Sequence, residues 1–358
     1  MDAVSTIDYH TGGEPFRIVE TLPSAAASRV TTTRRTDVTA PGLTVAERRV
    51  RAMRHGSELD DLRRVLCHEP RGHADMYGGF IVPPDDDGAH FGVLFWHKDG
   101  FSTACGHGTI ALGVWAVETG LVAAPGTGTT NVVIDVPSGR VTARVHTAEG
   151  NVTAVDFVSV PSFVIATGVA VQTSRGEVRV DVSYGGAIYA QLDAASVGLT
   201  IEPQNVSALI ALGRELKWAL NDADVAQHPA DPRLSGIYGT ILFEQLEAPD
   251  AAPGSASGLI AQRNVAIFAD GQVDRSPCGS GTAARIATLA ASGTMRDGDM
   301  LQHGSIVGST FAGSILSRTR VHGRDAVLPQ VTGMAYRTGE SRFTVDPRDP
   351  LTPGFVLR

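Results

Sequence analysis

Three observations predict an α+β protein of two similar lobes. Short runs rich in Val, Ile, Phe and Tyr alternate with turns marked by forty glycines and nineteen prolines. Helix signals are few. One segment also occurs twice: "ACGHGTIALG" (104–113) and "PCGSGTAARI" (277–286) share Cys-Gly-X-Gly-Thr ahead of an Ala-rich run, 173 residues apart. A chain of 358 residues is long enough for two such units.

Taken in order, strands are expected at 78–84, 91–97, 131–146, 151–160 and 177–192, where β-branched and aromatic residues partly alternate. The 131–146 stretch reads as a hairpin turning at Pro137-Ser138-Gly139. Thr44 with Glu47 forms a capping-box pattern before "RRVRAMR", and Ser57 with Asp60 repeats it around Leu59, Leu62 and Leu66. Asn205 is expected to cap "VSALIALGRELKWAL", whose Val206, Leu209, Ile210, Leu216 and Leu220 share one helical face. The last two helices follow Cys105 and Cys278. "EAPDAAPGSASG" (247–258) reads as an exposed, variable loop.

Composition narrows the function classes. A net charge of −8 with no basic stripe argues against nucleic acid. No apolar run approaches the ~18–20 residues of a membrane span. The first residues lack the basic and apolar regions of a signal peptide. Three cysteines make no disulfide framework and suit a reducing, cytoplasmic setting.

The two repeated segments carry the chemistry. At a helix N-terminus the first N–H groups lack intrahelical partners and the dipole is positive, so a thiolate there is stabilised and the thiol pKa should fall below about 8.5. The glycines let the backbone approach a ligand, and the free N–H groups of Gly106, His107 and Gly108, and of Gly279, Ser280 and Gly281, can seat a carboxylate. Set face to face, Cys105 and Cys278 could take a proton from Cα on one side and return one on the other, without a cofactor. Their titrations would then belong to the pair. Cys67, in "RRVLCHEP", lacks the glycines and reads as core. His107 and Asp274 lie near the thiols in sequence and could hold an amino nitrogen. They could equally be a loop histidine and a helix cap.

The sequence resembles the proline racemase superfamily over nearly its whole length. "IDYHTGGEPFRIV" (7–19), "EPRGHADMYGGFIVP" (69–83), "STACGHGTIALG" (102–113), "VSYGGAIYA" (182–190), "VDRSPCGSGTAARIATL" (273–289) and "GSIVGSTFAG" (304–313) follow in the family's order. The resemblance implies a diaminopimelate-epimerase-like fold, each lobe a curved antiparallel sheet around a central helix, with the active site in the cleft between lobes. It implies a first lobe of 1–148, to which 330–358 returns, and a second of 149–329. It also implies Cys105 and Cys278 as the acid/base pair, His107 and Asp274 at the ring nitrogen, both glycine segments at the carboxylate, a small proline-type substrate and a homodimer.

Within the family, the dehydratase branch typically carries threonine in place of the second cysteine. Cys278 therefore favours a racemase or 2-epimerase, although a thiol could also protonate a leaving hydroxyl. The blocks "HTGGEP", "GHADMYGG", "STACGHGTIALG" and "IYGTILFE" (237–244) look closer to the dehydratases. The phenol of Tyr77 could hydrogen-bond a ring hydroxyl, or the ring could simply pack on the sheet. The expectation is a 2-epimerase of 4-hydroxyproline, with trans-3-hydroxy-L-proline dehydratase as the alternative.

Other classes have less support. His68, Glu69 and His73 form only a loose cluster, without metal-ligand spacing. No Gly-X-Gly-X-X-Gly suggests a dinucleotide cofactor. A binding protein on this fold would need neither thiol. A diaminopimelate epimerase shares the two-thiol logic, but "HTGGEP" and "EPRGH" do not resemble that enzyme.

Overall fold

The computed structural model describes residues 3–22, 38–247 and 258–357, so the loop expected at 247–258 falls almost wholly outside the described residues. These hold eighteen strands and five α-helices: α1 (Val45–Ala52), α2 (Glu58–Cys67), α3 (Gly106–Glu118), α4 (Val206–Leu220) and α5 (Gly279–Ala291). The expected strands are present, except that 177–192 is not one strand but two. Gly176–Tyr184 and Ile188–Asp193 pair antiparallel across a turn with Gly186 at φ +89°. The 131–146 hairpin pairs Gly128–Val136 with Gly139–Ala148.

Helix α1 starts at a complete capping box. Thr44 Oγ1 accepts the Glu47 N–H at 3.2 Å and Glu47 Oε2 accepts the Thr44 N–H at 2.8 Å. The other two expected caps make no side-chain bond to their helix. Ser57 has extended cap geometry but no such bond. Asn205 ends a 3-10 turn, Pro203–Asn205, that runs straight into α4 and holds it at φ −93°, ψ 1°. Its amide donates back to Thr200 at 2.8 Å rather than forward. On α4 the buried face is Leu209, Leu212, Gly213, Leu216 and Leu220, with Val206 and Ile210 half-buried at its edge. Cys67 is buried at the end of α2, as a core residue should be.

Helices α3 and α5 lack a polar face. Every residue from Gly106 to Ala116, and from Gly279 to Ala290, is buried. Apart from Arg285, whose guanidinium bonds Gln262 and Gln191 at 2.9 and 3.1 Å, these stretches are mostly apolar or small. They must therefore be covered on all sides, and strands cover both. Helix α3 packs on Val4–Thr11, Glu14–Val19, Gly139–Ala148, Asn151–Val158 and Ala335–Phe343. Helix α5 packs on Ser162–Thr173, Gly176–Tyr184, Ile188–Asp193, Thr310–Val321 and Arg324–Gly333.

The strands form one hydrogen-bonded sheet. Around α5 it closes on itself: Arg324–Gly333 pairs antiparallel with both Thr310–Val321 and Ser162–Thr173. The same strand also pairs with Asn151–Val158 near α3, joining the two wrapped helices. The C-terminal strand Ala335–Phe343 lies antiparallel to the first, Val4–Thr11.

Candidate active site

The two helix N-termini meet head to head. A Cβ added to Gly106 would fall 2.5 Å from Gly279 Cα, and one added to Gly279 would fall 2.6 Å from Gly106 Cα. Only glycine at both positions permits this approach. The contact brings together the two cysteine segments, which the sequence holds half a chain apart.

Cys105 is the N-cap of α3, with extended backbone (φ −156°, ψ 106°). Its Sγ accepts the Gly108 N–H at 3.2 Å and lies 3.5 Å from His107 Nδ1. Cys278 is the N-cap of α5 but sits at φ +64°, in the left-handed region, and makes no side-chain cap bond. Its own N–H donates to Ser276 Oγ at 3.1 Å, and its Sγ lies 3.7 Å from Tyr189 Oη. Both thiols are free and buried.

The thiol pKa runs opposite to the expectation from helix position. Burial pushes the Cys105 thiol well above its usual value; the Gly108 N–H opposes this, and negative charge on Asp274 and Cys278 adds to it. Cys278 is likewise raised, by burial first and by the Asp274 carboxylate next. In this desolvated site the loss of water outweighs the N–H groups and the dipole. The influence of Cys278 on Cys105 also shows the two thiols to be electrostatically close.

Asp274 and His107 do converge. His107 Nδ1 lies 4.0 Å from Asp274 Oδ2, and both side chains are nearly inaccessible. Burial lowers the His107 imidazole to about 3, so it is neutral at pH 7. The Asp274 carboxyl is raised to about 6 by burial, against hydrogen bonds from the Ser276 hydroxyl and backbone that favour its charged form. Asp274 therefore orders the loop before α5 as well as facing His107.

Tyr77 lines this region rather than the back of a sheet. Its ring stands edge-on to His107 at 5.0 Å between centroids, and its hydroxyl contacts Ser102 Oγ and Tyr238 Oη, the latter at 3.0 Å. Tyr189 supports the other thiol, bonding Ser280 Oγ at 2.7 Å. Ser102, Tyr189 and Tyr238 each lie in a distinctive block, but no spacing rule in the sequence connects them to the thiols.

Two buried acids hold the loop that carries Asp274. Glu14 Oε2 accepts the Arg275 N–H at 2.7 Å. Asp75 receives Arg275 Nη2 at 2.9 Å and the Val273 N–H at 3.2 Å. Both carboxylates are fully buried. Burial, then the charge of Asp274, raises Glu14 well above the usual carboxylate range. At the loose histidine cluster, His68 Nε2 contacts Lys98 O at 3.1 Å and His73 Nδ1 contacts Ala74 O at 2.8 Å.

Comparison with known proteins gives a consistent picture. The family model described as Proline racemase matches residues 6–356. The chain is 41% identical over 353 residues to a protein of Bacillus cereus named trans-3-hydroxy-L-proline dehydratase, covering 99% of this chain and 98% of the relative. It is 42% identical over 358 residues to a protein of Burkholderia multivorans named 3-hydroxyproline 2-epimerase, with the same coverage. A crystal structure of a hydroxyproline epimerase from Agrobacterium vitis, with bound trans-4-hydroxy-L-proline, superposes with a TM-score of 0.84 at 31% identity. It covers 99% of this chain and 96% of that one.

Proposed function

This chain belongs to the proline racemase family, and on that premise we propose that it is a 2-epimerase of trans-3-hydroxy-L-proline, with Cys105 and Cys278 as opposed acid and base. Its relatives are isomerases and hydro-lyases, so the broader statement, an enzyme of one of these two kinds, stands without the proposal. The observation that carries the finer reading is the head-to-head meeting of two helix N-termini, each capped by a cysteine. The sequence alone favoured a hydroxyl at C4; the names of the relatives at 41–42% identity support C3.

The substrate carboxylate sits between the N–H groups of Gly106, His107 and Gly108 and those of Gly279, Ser280 and Gly281. Asp274 and His107 hold the ring nitrogen. The ammonium neutralises Asp274, whose charge opposes ionisation of both thiols, so substrate binding itself favours one thiolate in the pair, and the Gly108 N–H on its sulfur favours Cys105. The Cys105 thiolate takes the Cα proton and becomes a thiol. Negative charge spreads into the carboxylate, where the N–H groups stabilise it. The Cys278 thiol then gives its proton to the opposite face of Cα and becomes the thiolate, which starts the reverse reaction. A division into lobes of 1–148 with 330–358 and of 149–329, with substrate between them, belongs to the same reading. The matched helices α3 and α5 support it.

A second reading, dehydration by Cys105 alone as base, is favoured by the name of the Bacillus cereus relative. The same carbanion would expel the 3-hydroxyl, which leaves as water on taking a proton from the Cys278 thiol, and a pyrroline carboxylate remains. Incubation with trans-3-hydroxy-L-proline, followed by chiral chromatography, separates the two. The proposal expects cis-3-hydroxy-D-proline; a pyrroline carboxylate as the only product would overturn it.

A further inference from the structure

We infer that Ser102, Tyr77 and Tyr238 form a hydroxyl relay that recognises the ring hydroxyl of the substrate, with Tyr238 as its open end and the specificity-determining residue. This rests on the proposed proline-type substrate and extends the expectation for Tyr77 to Ser102 and Tyr238.

The relay is a chain of three hydroxyls. Tyr77 Oη lies in the middle, in contact with Ser102 Oγ on one side and 3.0 Å from Tyr238 Oη on the other. Ser102 and Tyr77 are each only 2% exposed, whereas Tyr238 is half-buried. Three O–H groups joined by two hydrogen bonds leave one proton unspent. With Ser102 donating to Tyr77 and Tyr77 to Tyr238, that proton belongs to Tyr238 and can go to an acceptor in the site. With both bonds reversed, Tyr238 donates inward and its oxygen can accept from a ligand. A ring hydroxyl is both donor and acceptor, so it matches either state.

The position of the relay agrees with this role. Charges on Cys105, Cys278 and Asp274 all act on the Tyr238 phenol, placing it near the acid/base groups. Its ring is stacked with Phe268 at 5.8 Å and stands edge-on to Tyr189 at 5.7 Å, which fixes the hydroxyl's direction. Behind the relay, Arg49 bonds only the Phe101 and Arg233 carbonyls at 2.8 and 3.2 Å, with no carboxylate partner among the described residues. The two phenols are the negative charges it would meet on ionisation. Burial holds both phenols well above their usual value, so Tyr77 and Tyr238 act as neutral hydroxyls.

An apolar wall would serve an unsubstituted proline ring. A polar wall leaves its own hydroxyls unmatched when the substrate lacks one, so it rejects that analogue. The test is calorimetric binding and kcat/KM for trans-3-hydroxy-L-proline, trans-4-hydroxy-L-proline and L-proline, on the full chain and on Tyr238→Phe. The wild type should prefer a hydroxyproline over L-proline by at least about tenfold in affinity or kcat/KM, and Tyr238→Phe should bring that ratio close to one. Ser102→Ala, at the far end of the relay, should lower it less. An unaltered ratio in Tyr238→Phe, or equal affinity of the wild type for L-proline and both hydroxyprolines, would overturn the relay. A preference for trans-4-hydroxy-L-proline that Tyr238→Phe abolishes would support the relay and overturn the C3 reading of the function.

Discussion

Cys105 and Cys278 occupy the same position in the same motif, yet their surroundings differ. Cys105 has ordinary extended backbone and a direct N–H contact from Gly108 on its sulfur. Cys278 sits at φ +64°, with its N–H tied to Ser276 and its sulfur near a phenol and the Asp274 carboxylate. An N–H contact favours a thiolate, whereas a carboxylate favours a thiol. Both thiols feel both influences, since the Gly281 N–H also favours a Cys278 thiolate and the Asp274 charge also opposes ionisation of Cys105. Asp274 ranks directly after burial for Cys278 but behind the Gly108 N–H for Cys105, so the bias is one of degree, Cys105 toward base and Cys278 toward acid. A backbone held left-handed at a non-glycine residue costs about 1–3 kcal/mol and persists only where its surroundings fix it. Here Ser276 and Asp274 do so.

The largest expected effect is removal of either sulfur. On the proposed mechanism, Cys105→Ser and Cys278→Ser each lower epimerisation of trans-3-hydroxy-L-proline by about 10²–10⁴-fold, measured by chiral chromatography. The asymmetry appears in exchange. Cys278→Ser should retain solvent exchange at Cα of the L-epimer, whose proton Cys105 removes, and Cys105→Ser should lose it. Equal exchange in both variants would make the two thiols interchangeable.

Asp274 comes next, because it acts on both thiols. Its raised carboxyl predicts that kcat/KM falls as pH drops through about 6, where protonation removes the charge that holds the ammonium. Asp274→Asn should abolish that limb of the pH profile and cost at least about tenfold in kcat/KM. The sign for stability is opposite. The folded carboxyl keeps its proton up to about 6, against 3.8 when unperturbed, so this group costs stability as pH rises through that window. Thermal unfolding of the wild type and Asp274→Asn between pH 4 and 7 measures this contribution.

The helix junction gives an intermediate effect. In Gly106→Ala the new methyl would fall 2.5 Å from Gly279 Cα, so the helix ends must separate. Overpacking of this kind costs about 1–3 kcal/mol and should appear as a lower thermal midpoint together with lost turnover. An unchanged midpoint would contradict the close approach. The smallest effect is expected at Tyr189, whose hydroxyl contacts Ser280 and Cys278. Tyr189→Phe removes the hydrogen bond to Ser280 Oγ and the weaker contact with Cys278 Sγ, a loss of about 0.5–1.5 kcal/mol for the former, or about 2–10-fold, and should slow protonation by Cys278 more than exchange by Cys105.

Much of this arrangement is legible in the sequence, because repeated local patterns record it. The Cys-Gly-X-Gly-Thr segments mark the starts of α3 and α5, and Thr44 with Glu47 marks the start of α1. The misreadings arise where surroundings override local chemistry. Asn205 has the right side chain for a cap, but the turn before it already holds it near helical geometry. The thiols have the right position for a lowered pKa, but burial of both helix ends reverses the shift. Tyr238, Tyr189, Ser102, Glu14 and Asp75 come from five separate segments and meet only in the folded chain. No single stretch of sequence carries a pattern that joins them.

The central claim is that two opposed thiols remove and return the Cα proton. Reaction of trans-3-hydroxy-L-proline in deuterium oxide, followed by NMR and chiral analysis, tests it most directly. The account predicts cis-3-hydroxy-D-proline carrying deuterium at Cα, with label appearing in recovered L-substrate as the reaction reverses. An epimer that retains protium at Cα, or a pyrroline carboxylate formed without any labelled epimer, would contradict it.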